Sequence, residues 1–137
     1  MLKLICADNE EKKIKNEIKI HQKIGEHPFI IGFRGSFENK SHKYIVLEYA
    51  ENGDLHEYFY NAEGGVNLTK KQICKIFRET CLAVSHMHSR GIFHGDLKLL
   101  NLLLDADLTV KLADFGSSTA DEITRNKYIF HSLKKKF

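Results

Sequence analysis

The chain has 137 residues, of which 42% are hydrophobic and 28% charged, and carries a net charge of +3. This is ordinary globular composition, long enough for one small domain, and the charge is too mild to imply a nucleic-acid partner. No apolar run approaches a membrane span and the N-terminus lacks a signal-peptide pattern, so no membrane partner is expected.

The opening residues, Met1 to Ile5, read as a short apolar strand. The spacing then predicts a helix over 9–24: Ile14, Ile18, His21 and Ile24 recur at three- and four-residue steps, and Glu11 with Lys15 forms an exposed i,i+4 pair. Glu17 falls on the apolar stripe. A carboxylate on an inner face needs a cationic partner, because burying it alone is costly. His21 reads as a packed spacer, and Pro28 ends the helix because it cannot continue one.

Two strands, 33–37 and 44–49, follow around the polar turn 39–41 and predict a hairpin. The text then changes from apolar to polar over 48–55 and carries Gly53, which predicts a hinge.

The longest regular segment is a predicted helix over 69–90. Ile73, Ile76, Phe77, Thr80, Ala83, Val84 and Met87 form its core-facing stripe, and Gly91 supplies a C-terminal stop. Cys74 and Cys81, seven apart on one flank, are expected to pack as small apolar groups. His86 and His88 diverge on a helix and do not make a metal pair. With Cys6 the cysteines number three, an odd count without metal-ligand spacing, which fits a reducing, cytoplasmic setting. The glycosylation pattern at Asn67 is idle in such a setting, and Lys134, Lys135 and Lys136 read as a solvated tail.

The chemistry concentrates between His94 and Gly116. Asp96, Lys98 and Asn101 stand within six residues, and a turn and an apolar strand pattern lead to Asp114, Phe115 and Gly116. The first group, His94-Gly95-Asp96-Leu97-Lys98-Leu99-Leu100-Asn101, resembles the H-R-D-L-K-x-x-N loop of eukaryotic-type protein kinases. The second resembles their D-F-G motif. The fragments occur in the family's order and at its separation, and the resemblance runs from the family's third strand to just past D-F-G.

The resemblance implies an α+β fold, part of the bilobal kinase architecture: a small-lobe remnant over 1–47, a hinge over 48–54, the start of the helical lobe over 55–116, and a divergent tail over 117–137. It implies a serine/threonine protein kinase that uses ATP and Mg²⁺ and takes a protein Ser or Thr as substrate. Asp96 is then the catalytic base, Lys98 holds the γ-phosphate, and Asn101 and Asp114 bind the metal, a hard cation that prefers oxygen. The backbone at Glu48 and Ala50 contacts adenine, Leu47 gates the pocket, Asp54 reaches the ribose, and Leu103 belongs to the same nucleotide site. Glu17 pairs with the family's strand lysine, which is either Lys3 or a residue preceding Met1. Ile18, Ile20, His21 and Leu99 resemble polo-like enzymes; D-F-G followed by two serines resembles calmodulin-dependent ones.

The chain departs from the family in three places. Gly95 replaces an arginine that commonly meets an activation-segment phosphate, no glycine-rich loop precedes Met1, and no A-P-E follows Gly116. The absent glycine-rich loop implies a fragment inactive by itself, the absence of the family's later supporting helices implies one that does not fold stably alone, and Gly95 implies no control through an activation-segment phosphate. The alternative is a non-catalytic kinase remnant that serves as a nucleotide-binding or protein-interaction module.

Overall fold

The computed structural model describes residues 2–40, 42–60 and 68–120, with 2–11 as backbone only. The Lys3 side chain, the Glu11–Lys15 pair, Cys6, Ser41 of the turn, Asn67 and the basic residues Lys134, Lys135 and Lys136 lie outside the described residues.

Strand β1 (Leu2–Cys6) runs directly into helix α1 (Ala7–Ile24), followed by strands β2 (Phe33–Glu38) and β3 (His42–Leu47). All three strands form one antiparallel sheet in the order β1-β3-β2, with Lys3 in register with Ile45. The expected hairpin is present, with a register irregularity between Phe33 and Gly35. Helix α1 stops at Gly25, which takes φ +71° and donates its N–H to the His21 carbonyl at 3.1 Å. Glycine is the usual residue for that left-handed stop.

The inner face of α1 carries Ile14, Glu17, Ile20, His21 and Ile24, all buried. Ile20 goes deeper than Ile18, which is only partly buried against the core. His21 is the packed residue its spacing suggested: its ring stacks on Phe33 at 5.3 Å and meets the edge of Phe115 at 4.7 Å.

The second half comprises helices α2 (Leu55–Tyr60) and α3 (Lys70–Ser89), then a 3₁₀ turn (Leu99–Asn101) leading into the antiparallel pair β4 (Leu102–Leu104) and β5 (Val110–Leu112). A capping box starts α3: the Thr69 hydroxyl accepts from the Gln72 N–H at 3.3 Å, and Gln72 Oε1 accepts from the Thr69 N–H at 2.9 Å. Two otherwise orphaned donors are thereby satisfied. Gly91, at φ +67°, ends the helix as expected.

The stripe on α3 differs from its periodicity. Ile76, Glu79, Ala83 and Met87 are buried, while Ile73 is 50% and Phe77 71% exposed. Ile73 and Phe77 instead line an apolar groove of about 480 Å³ with Leu55, Phe59, Leu97 and Leu99. The stripe is wider than the surface it rests on, so its flank remains outside. Cys74 and Cys81 are also exposed, contrary to the expected packing, because they lie on the outer side of that flank.

The two halves share one core. Ile30 bridges Leu112 in parallel, with Ile31 N–H donating to the Leu112 carbonyl at 3.0 Å and Leu112 N–H to the Phe29 carbonyl at 2.9 Å. The segment after α1 thus fixes β5, and β5 delivers Asp114. No helix among the described residues is long and apolar enough to cross a membrane.

Candidate active site

The site is built on a turn between Phe93 and Thr119, whose backbones pair through hydrogen bonds of 2.8 and 2.9 Å. Gly95 takes φ +82°, a conformation in which a side chain is strained, so the glycine suits the turn. The ring of His94 is buried beneath it. His94 Nε2 donates to the Ala113 carbonyl at 2.9 Å, while Nδ1 accepts the Asp96 N–H at 3.3 Å. One nitrogen donates and the other accepts, which defines a neutral imidazole.

Burial holds His94 below the ordinary histidine range, outweighing the Ala113 carbonyl and the nearby Asp114 and Asp96 charges that pull upward. His27 moves the same way through burial and the neighbouring charges of His86 and Arg90. For both groups the folded chain binds fewer protons than the unfolded one between the depressed value and about 6.5. Their stability contribution is therefore complete above about pH 6.5 and is lost as pH falls towards the folded value. The melting temperature should accordingly fall between pH 7.5 and pH 5.5, with His94 contributing at most about 1.4 kcal/mol per pH unit. A flat or rising melting temperature over that interval would contradict this account.

Asp96, Lys98 and Asn101 are brought together. Lys98 Nζ lies 2.7 Å from Asp96 Oδ2. Asn101 Nδ2 donates to the Asp96 carbonyl at 2.7 Å and reaches Oδ2 at 3.3 Å. The Lys98 hydrogen bond, followed by its charge and the Asn101 amide, holds the Asp96 carboxyl below the usual carboxylate range despite opposing desolvation. Asp96 is therefore an anionic acceptor at neutral pH.

Asp114 follows from β5, joined to the same turn by the Ala113 N–H, which donates to the Asn101 carbonyl at 2.9 Å. It adopts φ +65°, uncommon outside glycine though better tolerated by Asp and Asn. Such a conformation costs on the order of 1–3 kcal/mol and persists only where its surroundings hold it. Those surroundings include the buried Phe115, which contacts the His94 ring edge at 5.4 Å, and buried Ser118, whose hydroxyl donates to the His94 carbonyl at 3.0 Å. The donor chemistry fits a hard divalent ion. The Asn101 amide nitrogen is engaged with Asp96, so its oxygen is the end that would face such an ion, and Asp114 offers a carboxylate.

The other sequence-predicted residues lie on β3, the segment after it, β4 and α1. Leu47 is buried at the end of β3 and Ala50 is buried in the connecting segment. The Glu48 N–H donates to the Gly32 carbonyl at 2.8 Å, and its carboxylate accepts the Gly32 N–H at 2.9 Å and pairs with Lys111 at 2.8 Å. Burial pushes the Glu48 carboxyl up, but Lys111 and the Gly32 N–H bring it below its ordinary value. Asp54 bridges half-buried Leu103, and Asp54 Oδ1 accepts the Glu57 N–H at 2.8 Å as a cap for α2. Glu17 is 1% exposed on the inner face of α1.

Three supporting residues escaped the sequence reading. Glu79 is buried on α3, where its Oε2 accepts the Val110 N–H at 3.0 Å and anchors β5. Its place between Ile76 and Ala83 at steps of three and four was the available signal, hidden by its charge. Lys111 ties β5 to Glu48. Asn16 crosses from α1 to the segment after Asp114, a contact that no local spacing reveals.

The chain belongs to the protein kinase domain family, whose model matches residues 2–132. It is 35% identical over 117 residues to the serine/threonine-protein kinase PLK4 of Drosophila grimshawi, covering 85% of this chain and 15% of that protein. It is 38% identical over 110 residues to the serine/threonine-protein kinase Nek1 of Mus musculus, covering 80% of this chain and 9% of that protein. The PLK4 of Aedes aegypti is 34% identical over 123 residues, which is 90% of this chain and 15% of the relative. The chain thus spans about 9–15% of the length of these curated relatives.

Proposed function

We propose that this chain carries the phosphotransfer centre of a serine/threonine protein kinase. The observation that supports this most strongly is the hydrogen-bonded group of Asp96, Lys98 and Asn101, tied to the Asp114 strand through the Ala113–Asn101 bond. The substrate class follows from the named relatives and from Lys98, a lysine where the family's serine/threonine members carry one.

In this reading Asp96 accepts the hydroxyl proton of the protein Ser or Thr while Lys98 turns from Asp96 to the γ-phosphate as a point charge. Asn101 and Asp114 would hold Mg²⁺ through oxygen. The ion, when bound, neutralises charge spread over the phosphate oxygens. The segment at Glu48 and Ala50 receives adenine, bordered by Leu47 and Leu103. Asp54, with one oxygen engaged in capping α2, offers the other to the ribose. Glu17 is read as the partner of the family's strand lysine, for which Lys3 is this sequence's candidate because β1 lies beside β3 and leads straight into α1.

Because the chain by itself is expected to be inactive, the test is transfer from radiolabelled ATP to a mixed Ser/Thr substrate by this sequence completed to a full kinase domain, with and without Mg²⁺ and alongside Asp114→Ala. Mg²⁺-dependent transfer that disappears in the variant is expected. ATP binding with no transfer under any condition would reject catalysis and favour a nucleotide-binding module.

A further inference from the structure

We infer that Asn16 is a positioning residue, which holds the metal-binding loop in shape from helix α1. This rests on the reading of Asp114 as a metal ligand. Asn16 is half-buried on α1, beside Glu17, and its Nδ2 reaches three backbone carbonyls about one hundred residues away. It lies 2.8 Å from Ser118 O, 3.3 Å from Gly116 O and 3.5 Å from Phe115 O. An amide nitrogen brings two N–H donors, so the bond to Ser118 is the strong one and the other two oxygens share the second hydrogen. The orientation of the amide follows from its partners: an oxygen in that position would face three carbonyl oxygens and repel each of them.

The arrangement has a consequence for Asp114. Three carbonyls within four residues of the loop converge on one amide nitrogen, and convergence of that kind is stable only around a donor. The loop begins with Asp114 at φ +65°, a conformation its surroundings must hold. His94 and Ser118 hold it from the catalytic turn, within the large-lobe side of the site. Asn16 holds it from the small-lobe helix. The placement of α1 and the shape of the metal loop are therefore one equilibrium, and anything that binds the ordered loop also favours the α1 position seen here. By linkage the converse is equally true.

The isosteric variant Asn16→Asp replaces the donor with an anionic acceptor. In this sequence completed to a full kinase domain it should raise the Mg²⁺ concentration for half-maximal transfer by roughly tenfold, the equivalent of about 1.4 kcal/mol. The rate at saturating Mg²⁺ should change far less, because no group that touches the reacting atoms is altered. Binding of Mn²⁺ with ATP, read by electron paramagnetic resonance, should weaken by the same factor. Amide hydrogen exchange over 115–119 should accelerate correspondingly. Asn16→Ala should show the same pattern more mildly, as it removes the donor without adding repulsion.

A measurement on the unaltered protein covers the case in which both variants misfold. The side-chain amide resonances of Asn16 should shift on titration with Mg²⁺ and ATP, with the same midpoint as the backbone amide of Asp114. An Asn16 signal that does not move would overturn the inference. So would folded variants with unchanged Mn²⁺ affinity and exchange. Asp114→Ala separates the two levels: if it keeps full Mn²⁺ affinity, the metal-site reading itself fails. If it loses affinity while Asn16→Asp does not, only the role of Asn16 fails.

Discussion

Replacing Asp96 with asparagine, in this sequence completed to a full kinase domain, is expected to lower the phosphotransfer rate by roughly 10²–10⁴-fold, the usual contribution of a positioned acid or base. ATP affinity should hardly change. The geometry motivates this split. Asp96 Oδ2 lies 2.7 Å from Lys98 Nζ and 3.3 Å from Asn101 Nδ2, while Leu47, Glu48, Ala50 and Leu103, proposed to receive the nucleotide, belong to other elements. An exposed aspartate is already anionic at neutral pH, and Lys98 and Asn101 lower the carboxyl further, so the substitution removes a charged acceptor. The Asn101 bond to the Asp96 carbonyl survives, because it uses backbone. Steady-state kinetics with the ATP concentration varied will check both halves of the expectation. A rate within a few-fold of the unaltered protein would remove Asp96 from the role of base.

The second large effect concerns stability. Phe115 is 0% exposed, and its ring contacts the His21 ring at 4.7 Å and the His94 ring at 5.4 Å. Truncating such a side chain forfeits its burial and leaves a cavity that the surroundings only partly refill. Phe115→Ala should therefore cost about 3–5 kcal/mol, against total stabilities of about 5–15 kcal/mol for whole domains. Phe115→Leu, which retains most of the volume, should cost markedly less. Urea unfolding monitored by circular dichroism will rank the three proteins. Equal midpoints would show that Phe115 packs more loosely than its burial indicates.

Much of the fold could be read from local pattern because local physics determines it. Helix α3 declares itself through steps of three and four and the glycine after Arg90. The β2–β3 hairpin appears as two apolar runs around a polar turn. His21 was legible as packing because it shares a face with Ile14 and Ile24. Periodicity identifies a face, but not how much of that face a neighbour covers. This is why Ile73, Phe77, Cys74 and Cys81 remain outside while the charged Glu79 goes in, satisfied by the Val110 N–H and by Lys75 at 3.7 Å.

The candidate site shows the same division. Asp96, Lys98 and Asn101 are close in sequence, and the turn that holds them is short, so their convergence was visible in the text. The tautomer of His94, the left-handed backbone at Asp114 and the reach of Asn16 depend on partners many residues away. Such relations come from tertiary packing and leave no mark in spacing. The double hold on Glu48 by Gly32 and Lys111 belongs to the same class, since its parts come from three separate segments.

The groove beside α3 also bears on how the chain behaves at high concentration. Leu97, Leu99, Leu100, Ile73 and Phe77 are exposed by between 39% and 71%, and four of them line one apolar hollow. A net charge of +3 gives weak mutual repulsion. Salts that strengthen apolar association, such as sulfate, act on this surface before they act on the buried core. Among the described residues this strip along one helix and the turn beside it is the exposed apolar surface most open to such association, and Phe77, the least covered of its members, is where a polar side chain alters solubility at small cost to the fold.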